Sequence, residues 1–245
     1  MDIIVLSDRA WADEVAARWA DRLAVNVDLR MCCPTGQTPV PLYTAMATLC
    51  DLGIADFGAA TIVLLDEYLG LEPGASGRCD EMLRRHLVDR LRPAPAAVRT
   101  IGVGSLGPTD PDLEVEAAAI EAELVARPLD LALLGVGGNG HVGMNEPGSA
   151  PDSPTRIVEL AASTRLAAAS YGAEPVPTHG VTIGLRALLA AAEVWILATG
   201  STKADVVAAI VDGPTTVEMP ASLFRDHTNC TLFVDTAAWA RRPPT

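Results

Sequence analysis

Short apolar runs recur along this chain, and most of them break into glycine or small polar residues where a helical spacing of apolar side chains takes over. Residues 2–6, 25–33, 61–65, 98–103, 129–134 and 194–198 read as strands, most with no polar alternation. Ser7 and Asp8 are expected to cap a helix to about residue 23. Other helices are expected to end near residues 51 and 211, or to cover 76–91, 112–126, 163–170 and 185–192. Residues 156–160 read as an edge strand, and 220–223 and 231–234 close the pattern. Strands that are apolar on both faces need cover on both faces, and parallel neighbours need helical crossovers. The expectation is α/β: one domain over residues 1–245, with a mostly parallel, doubly wound (Rossmann-like) sheet and helices on both faces. A chain of 245 residues suits one large domain and is marginal for two, and it shows no linker or repeat.

Composition narrows the function classes. A hydrophobic share of 49% excludes disorder, and the runs are too short to span a membrane. Asp2 and Asp8 stand where a secretory leader would need positive charge. A net charge of −13 argues against nucleic acid, whose binding face is basic. Five cysteines without C-x-x-C spacing fit reduced thiols in the cytoplasm, and the four scattered histidines have no ligand spacing for a metal.

Three strand ends carry chemistry. The run 129–134 breaks into glycines at 135, 137, 138, 140 and 143, with His141 and Glu146 among them. Such a stretch is either a spacer or a backbone that must turn sharply beside a ligand; an imidazole with a nearby carboxylate favours the ligand. Segment 34–39 (PTGQTP) is strand, polar loop and helix start, the geometry that receives an anion on free N–H groups, with Thr35 and Thr38 as added donors. An ordinary proline-capped turn would look similar. Segment 199–203 repeats the arrangement with Lys203. Asp66 stands at the mouth of an apolar strand, as a turn former or as an acid in use. An acid, an imidazole and two anion nests in one crevice suit proton transfer on a phosphorylated small molecule.

Segments 34–39, 65–71 (LDEYLGL), 135–149 (GVGGNGHVGMNEPGS), 200–203 (GSTK) and 220–223 (PASL) together resemble glucosamine-6-phosphate deaminases, also called isomerases, within the wider group that includes 6-phosphogluconolactonases. The Asn145-Glu146-Pro147 segment is the deaminase form; the lactonases resemble one another with Asp-Gly-His-Thr instead. The resemblance implies conversion of glucosamine 6-phosphate and water to fructose 6-phosphate and ammonia through an enolamine. It implies that His141 moves the ring-oxygen proton, that Asp66 carries the proton from C-2 to C-1, and that Glu146 orients His141, with Asn139 beside them. Thr35, Gly36, Gln37, Thr38, Gly137 and Lys203 would hold the substrate and its phosphate. No metal or organic cofactor is implied, and the chain would act as a monomer or homo-oligomer.

The chain departs from the resemblance at named positions. Asn139 stands where many relatives have Asp. Ser170 stands where deaminases usually place a second phosphate-binding Arg; Arg78 is either its substitute or a solvated surface residue. Val158 replaces a Lys that follows Arg156 by two residues in allosterically regulated relatives. Galactosamine 6-phosphate remains an alternative substrate, a lactonase-like hydrolase an alternative reaction, and a non-catalytic sugar-phosphate sensor an alternative class.

Overall fold

The structure, a computed structural model, describes residues 1–104 and 106–240. The strands are β1 (Asp2–Leu6), β2 (Arg30–Cys33), β3 (Thr61–Leu64), β4 (Asp66–Tyr68), β5 (Ala97–Arg99), β6 (Leu131–Gly135), β7 (Arg156–Glu159), β8 (His179–Thr182), β9 (Glu193–Ala198) and β10 (Cys230–Asp235). The helices are α1 (Trp11–Val25), α2 (Val40–Asp51), α3 (Cys79–His86), α4 (Pro111–Ala126), α5 (Ala162–Ser170), α6 (Leu185–Leu189), α7 (Ala204–Asp212) and α8 (Thr236–Trp239). Seven strands form a parallel sheet in the order β1-β10-β9-β6-β2-β3-β5.

Successive residues of each central strand feed different cores. Met31, Leu133, Trp195 and Phe233 pack under α1, α2 and α3, whose contributions include Trp19, Leu42 and Leu83. Cys32, Leu134, Ile196 and Leu232 pack under α4, α6 and α7, with Ile120, Leu188 and Val207. Both faces are dry, which is why these strands read as continuous apolar runs.

The expected 25–33 strand is shorter than its apolar content suggested. Helix α1 continues to Val25, which is 86% exposed, and the strand begins only at Arg30. Neither Ser7 nor Asp8 is the N-cap: α1 starts after Ala10, and the Ser7 carbonyl accepts from the N–H groups of Ala10 and Trp11. The helix expected over 76–91 divides into α3 and a 3-10 turn at Val88–Arg90. The strand expected over 98–103 is confined to Ala97–Arg99, and the helix expected over 185–192 ends at Leu189.

A second sheet, β4-β8-β7, is antiparallel and has no counterpart in the sequence reading. Its strands are three or four residues long, too short for a period-two pattern to register. It fixes Asp66, since the chain leaves β3, passes Leu65 and enters β4 with Asp66 paired to Thr182. The 156–160 edge strand expected of the main sheet belongs here, as β7.

Candidate functional site

Strand order reverses between β2 and β6. From β2 the chain winds outward through β3 to β5, and from β6 it winds the other way through β9 to β10. Loops leaving adjacent strands in opposite directions part at their carboxyl ends, which opens a crevice there. The crevice is occupied by an open cleft of about 890 Å³, solvent-facing mouth included. Thr35, Gly36, Gln37 and Thr38 line it from the loop after β2, Asp66 from β4, and Gly137 and His141 from the loop after β6. Lys203 enters from the turn after β9.

The anion nest is built by backbone. Gly36 has φ +92°, a conformation that side chains rarely adopt. The Tyr43 hydroxyl, buried in α2, donates to the Pro34 carbonyl at 2.6 Å and pins the loop to the helix it opens. Helix α2 begins with no side-chain cap, but Pro39 and Pro41 carry no N–H and the Val40 N–H donates to the Gln37 carbonyl at 3.3 Å, so the part of the nest that lines the cleft is the 35–38 loop itself. The Lys203 ammonium donates to the Val136 carbonyl at 2.8 Å. It has no carboxylate partner among the described ion pairs, and burial pushes its pKa down. An uncompensated cation beside a helix N-terminus is a place for an anion.

In the same cleft, the glycine loop holds the imidazole. Gly137 must be glycine because a Cβ there would collide with the His141 ring. The loop is buttressed from 220–223, where the Ala221 N–H donates to the Gly140 carbonyl at 2.9 Å. Asn145, wholly buried, donates to the carbonyls of Val142 and Ile183 and accepts from Arg156. It is the tie that fixes the loop, a role the motif did not disclose. His141 Nδ1 lies 3.3 Å from Glu146 Oε2. Asn139 Nδ2 donates to the same oxygen at 2.8 Å, while its Oδ1 accepts the His141 N–H at 3.2 Å. Burial pushes the Glu146 carboxyl up, but hydrogen bonds from His141 and Thr164, the His141 charge and the Asn139 amide outweigh it and hold it down at about 2. Glu146 is therefore the fixed anion of the pair.

Asp66 has the opposite environment. It is 7% exposed, and burial pushes its carboxyl up to about 6, with His141 and the Cys79 thiol pulling part of the way back. A carboxylate that ionises near neutrality, facing a histidine across a cleft, is suited to accept and return a proton on carbon. Its neighbour Glu67 has a different task. Glu67 is fully buried and accepts from the backbone N–H groups of Tyr68, Cys79 and Asp80, so it caps α3.

Arg78 does not line the cleft. It is 3% exposed, donates bidentately to Asp80 at 2.8 and 2.9 Å, reaches Glu67 at 3.4 Å and donates to the carbonyls of Leu71 and Gly104. Its donors are consumed, which corrects the expectation that it substitutes for a phosphate-binding Arg. Ser170 is exposed and donates to the Ala167 carbonyl; Ala167 and Tyr171 are the residues that this part of α5 turns to the cleft. Tyr171 was missed by the sequence reading, yet its hydroxyl stands 3.3 Å from where a Cβ on Gly36 would be. Ser163 and Thr164 were missed as well. The available signals were the position of α5 between the chemical segments and the resemblance that puts Ser170 where relatives hold the phosphate, since the Ala-rich helix carries no motif of its own. Among the described residues no group of three His, Cys, Asp or Glu side chains is placed to hold a metal ion, and no helix is long and apolar enough to cross a membrane.

Comparisons with known proteins complete this description. The family described as glucosamine-6-phosphate isomerases/6-phosphogluconolactonase matches residues 7–233. A glucosamine-6-phosphate deaminase of Leuconostoc citreum (strain KM20) is 38% identical over 210 residues, covering 84% of this chain and 85% of that protein. One from Streptomyces avermitilis is 36% identical over 248 aligned residues, covering 97% of this chain and 91% of that protein. Among solved structures, that of a monomeric glucosamine-6-phosphate deaminase superposes with a TM-score of 0.89 at 27% identity, covering 99% of this chain and 100% of that one.

Proposed function

This chain belongs to the family of glucosamine-6-phosphate isomerases and 6-phosphogluconolactonases, and from that premise we propose that it converts glucosamine 6-phosphate and water to fructose 6-phosphate and ammonia. The observation that carries the reading is one cleft with an anion nest at one end and, beyond it, Asp66 facing the His141–Glu146 pair.

The phosphate sits in the 35–38 loop that precedes α2, with the Thr35 and Thr38 hydroxyls and the Lys203 ammonium. That places the sugar ring between Asp66 and His141. His141, oriented by Glu146, relays the anomeric hydroxyl proton to the ring oxygen, and the ring opens to the aldehyde. Asp66 takes the C-2 proton while the aldehyde oxygen takes one from the substrate's own ammonium group, which gives the enolamine. The same carboxyl then delivers the proton to C-1, leaving an imine at C-2. Water adds to the imine and ammonia departs, so atoms and charge balance. Proton transfers of this kind use no metal or organic cofactor. Asn145-Glu146-Pro147 favours this reaction over lactone hydrolysis, because Glu146 is held as the partner of the ring-opening histidine. A reducing, cytoplasmic setting belongs to the proposal and is supported by five cysteines that are all free and buried.

The test is ammonia release from glucosamine 6-phosphate, galactosamine 6-phosphate and other 6-phospho-amino sugars, run beside hydrolysis of 6-phosphogluconolactone. Ammonia from glucosamine 6-phosphate with the highest kcat/KM is the expected result. Release only from the galactose epimer moves the substrate, lactone hydrolysis without ammonia moves the reaction, and tight binding with no turnover makes the chain a sensor.

A further inference from the structure

Glu146 Oε1 faces away from His141 and has its own partners. The Thr164 hydroxyl donates to it at 2.5 Å, and the Ala161 N–H reaches it at 3.3 Å. Both donors belong to the start of α5. That helix follows Ala161, has no side-chain cap of its own, and carries no acidic residue in its first turn. A threonine inside a helix ordinarily turns its hydroxyl back to a carbonyl of its own preceding turn or out to water. Thr164 is only 5% exposed and points its hydroxyl at a carboxylate 18 positions earlier in the chain. It also lies 3.5 Å from His141 Nδ1. One carboxylate thus stands at two junctions: one oxygen faces the imidazole, and the other closes the open end of the helix that turns Ser163, Ala167 and Tyr171 to the cleft.

A carboxylate with an Asn139 donor on one oxygen and only the long Ala161 N–H contact on the other could rotate about its last torsion, which is soft for a terminal carboxyl. A charge-assisted O–H donor on the second oxygen removes that freedom, because both oxygens then have fixed partners. We propose that Thr164 is a positioning residue of this site, whose hydroxyl locks the Glu146 carboxylate in the orientation that meets His141. The seating of α5 and the setting of the His141–Glu146 pair are then one event. The inference rests on the roles given above to Glu146 and His141, and goes beyond them by assigning what orients the pair.

Thr164→Val removes the hydroxyl at nearly constant volume, and Thr164→Ser keeps it. Since the pair serves ring opening, Thr164→Val is expected to lower kcat for ammonia release at least ~10-fold, the scale of a lost hydrogen bond to a charged group. KM should stay within about twofold. Solvent hydrogen exchange at C-1 of fructose 6-phosphate with ammonium present, which depends on Asp66, should stay within about threefold, and Thr164→Ser should restore turnover. Equal losses of turnover and exchange without rescue by Ser would mark a merely structural residue and overturn the assignment. So would unchanged turnover in Thr164→Val. A substrate-free readout separates this inference from the reaction itself: the ¹⁵N-labelled imidazole signals of His141 should shift in Thr164→Val and return in Thr164→Ser. Unaltered signals overturn the inference even if the enzyme is active, and shifted signals uphold it even if the substrate is another. If the Val protein does not fold, Thr164→Ala carries the same measurements.

Discussion

Asp66 sets burial against use. The folded carboxyl keeps its proton up to about pH 6, whereas the ordinary value is 3.8. Between those values the folded state binds the extra proton, so stability falls as pH rises across the window, and above it the buried charge costs up to ~3 kcal/mol. Asp66→Asn removes that charge. The variant should unfold at a higher temperature than the parent near pH 8, with the difference vanishing below about pH 4, while turnover falls at least ~10²-fold and ligand affinity holds within a few fold. Calorimetry across pH together with ammonia release checks both halves, and near-normal turnover in a folded Asn protein removes the base assignment. Asn139 tests the other carboxylate. Its amide donates to Glu146, so Asn139→Asp replaces a donor by a second negative group at hydrogen-bond distance. Like charges disfavour joint ionisation and should raise the Glu146 carboxyl from about 2. The Glu146 carboxyl, followed by its ¹³C signal across pH, should titrate at higher pH than in the parent, and an unmoved titration would show that the side chain at 139 does not act on it.

Helix α3 shows how a charged cluster can look functional in sequence and be architectural in space. Its first N–H groups end on the Glu67 carboxylate, where the helix dipole also favours an anion. Burial pushes Glu67 up, and Arg78 with the backbone donors pulls it back. Arg78→Ala leaves that carboxylate inside the protein without its cation and should cost ~3–5 kcal/mol in denaturant unfolding. KM for a phosphorylated substrate should not change once folded protein alone is counted. A KM raised severalfold at full stability would return Arg78 to the phosphate.

The whole molecule depends on a sheet covered twice. Leu133 and Leu134 are adjacent on β6, both fully buried, and they belong to different cores. Leu133→Ala and Leu134→Ala should each cost ~2–5 kcal/mol in urea unfolding. A near-neutral result for either would mean that one face is dispensable. Loss at either face should also disturb the site, since β6 carries the glycine loop at its carboxyl end.

What the sequence determined by itself was whatever local chemistry encodes. Two-sided apolar strands alternating with helices required the parallel, doubly wound sheet, and the glycines, His141, Glu146 and the 34–39 loop marked strand ends where a crevice forms. Short-range signals of this kind survive folding because each element needs them to exist at all. Tertiary structure alone decided the rest. The small antiparallel sheet that seats Asp66 is made of strands too short to show a period, and it joins residues 66, 156 and 182 through pairing rather than local preference. Arg78 is misplaced by the sequence and Tyr171 is missed by it for one reason: a residue's type says what it can bind, but only packing decides which partners it meets. Arg78 meets two carboxylates and two carbonyls inside the protein, and Tyr171 meets the cleft. The strong downward pull on Glu146 likewise comes from groups at 139, 141 and 164, because the field at a buried carboxylate depends on neighbours in space.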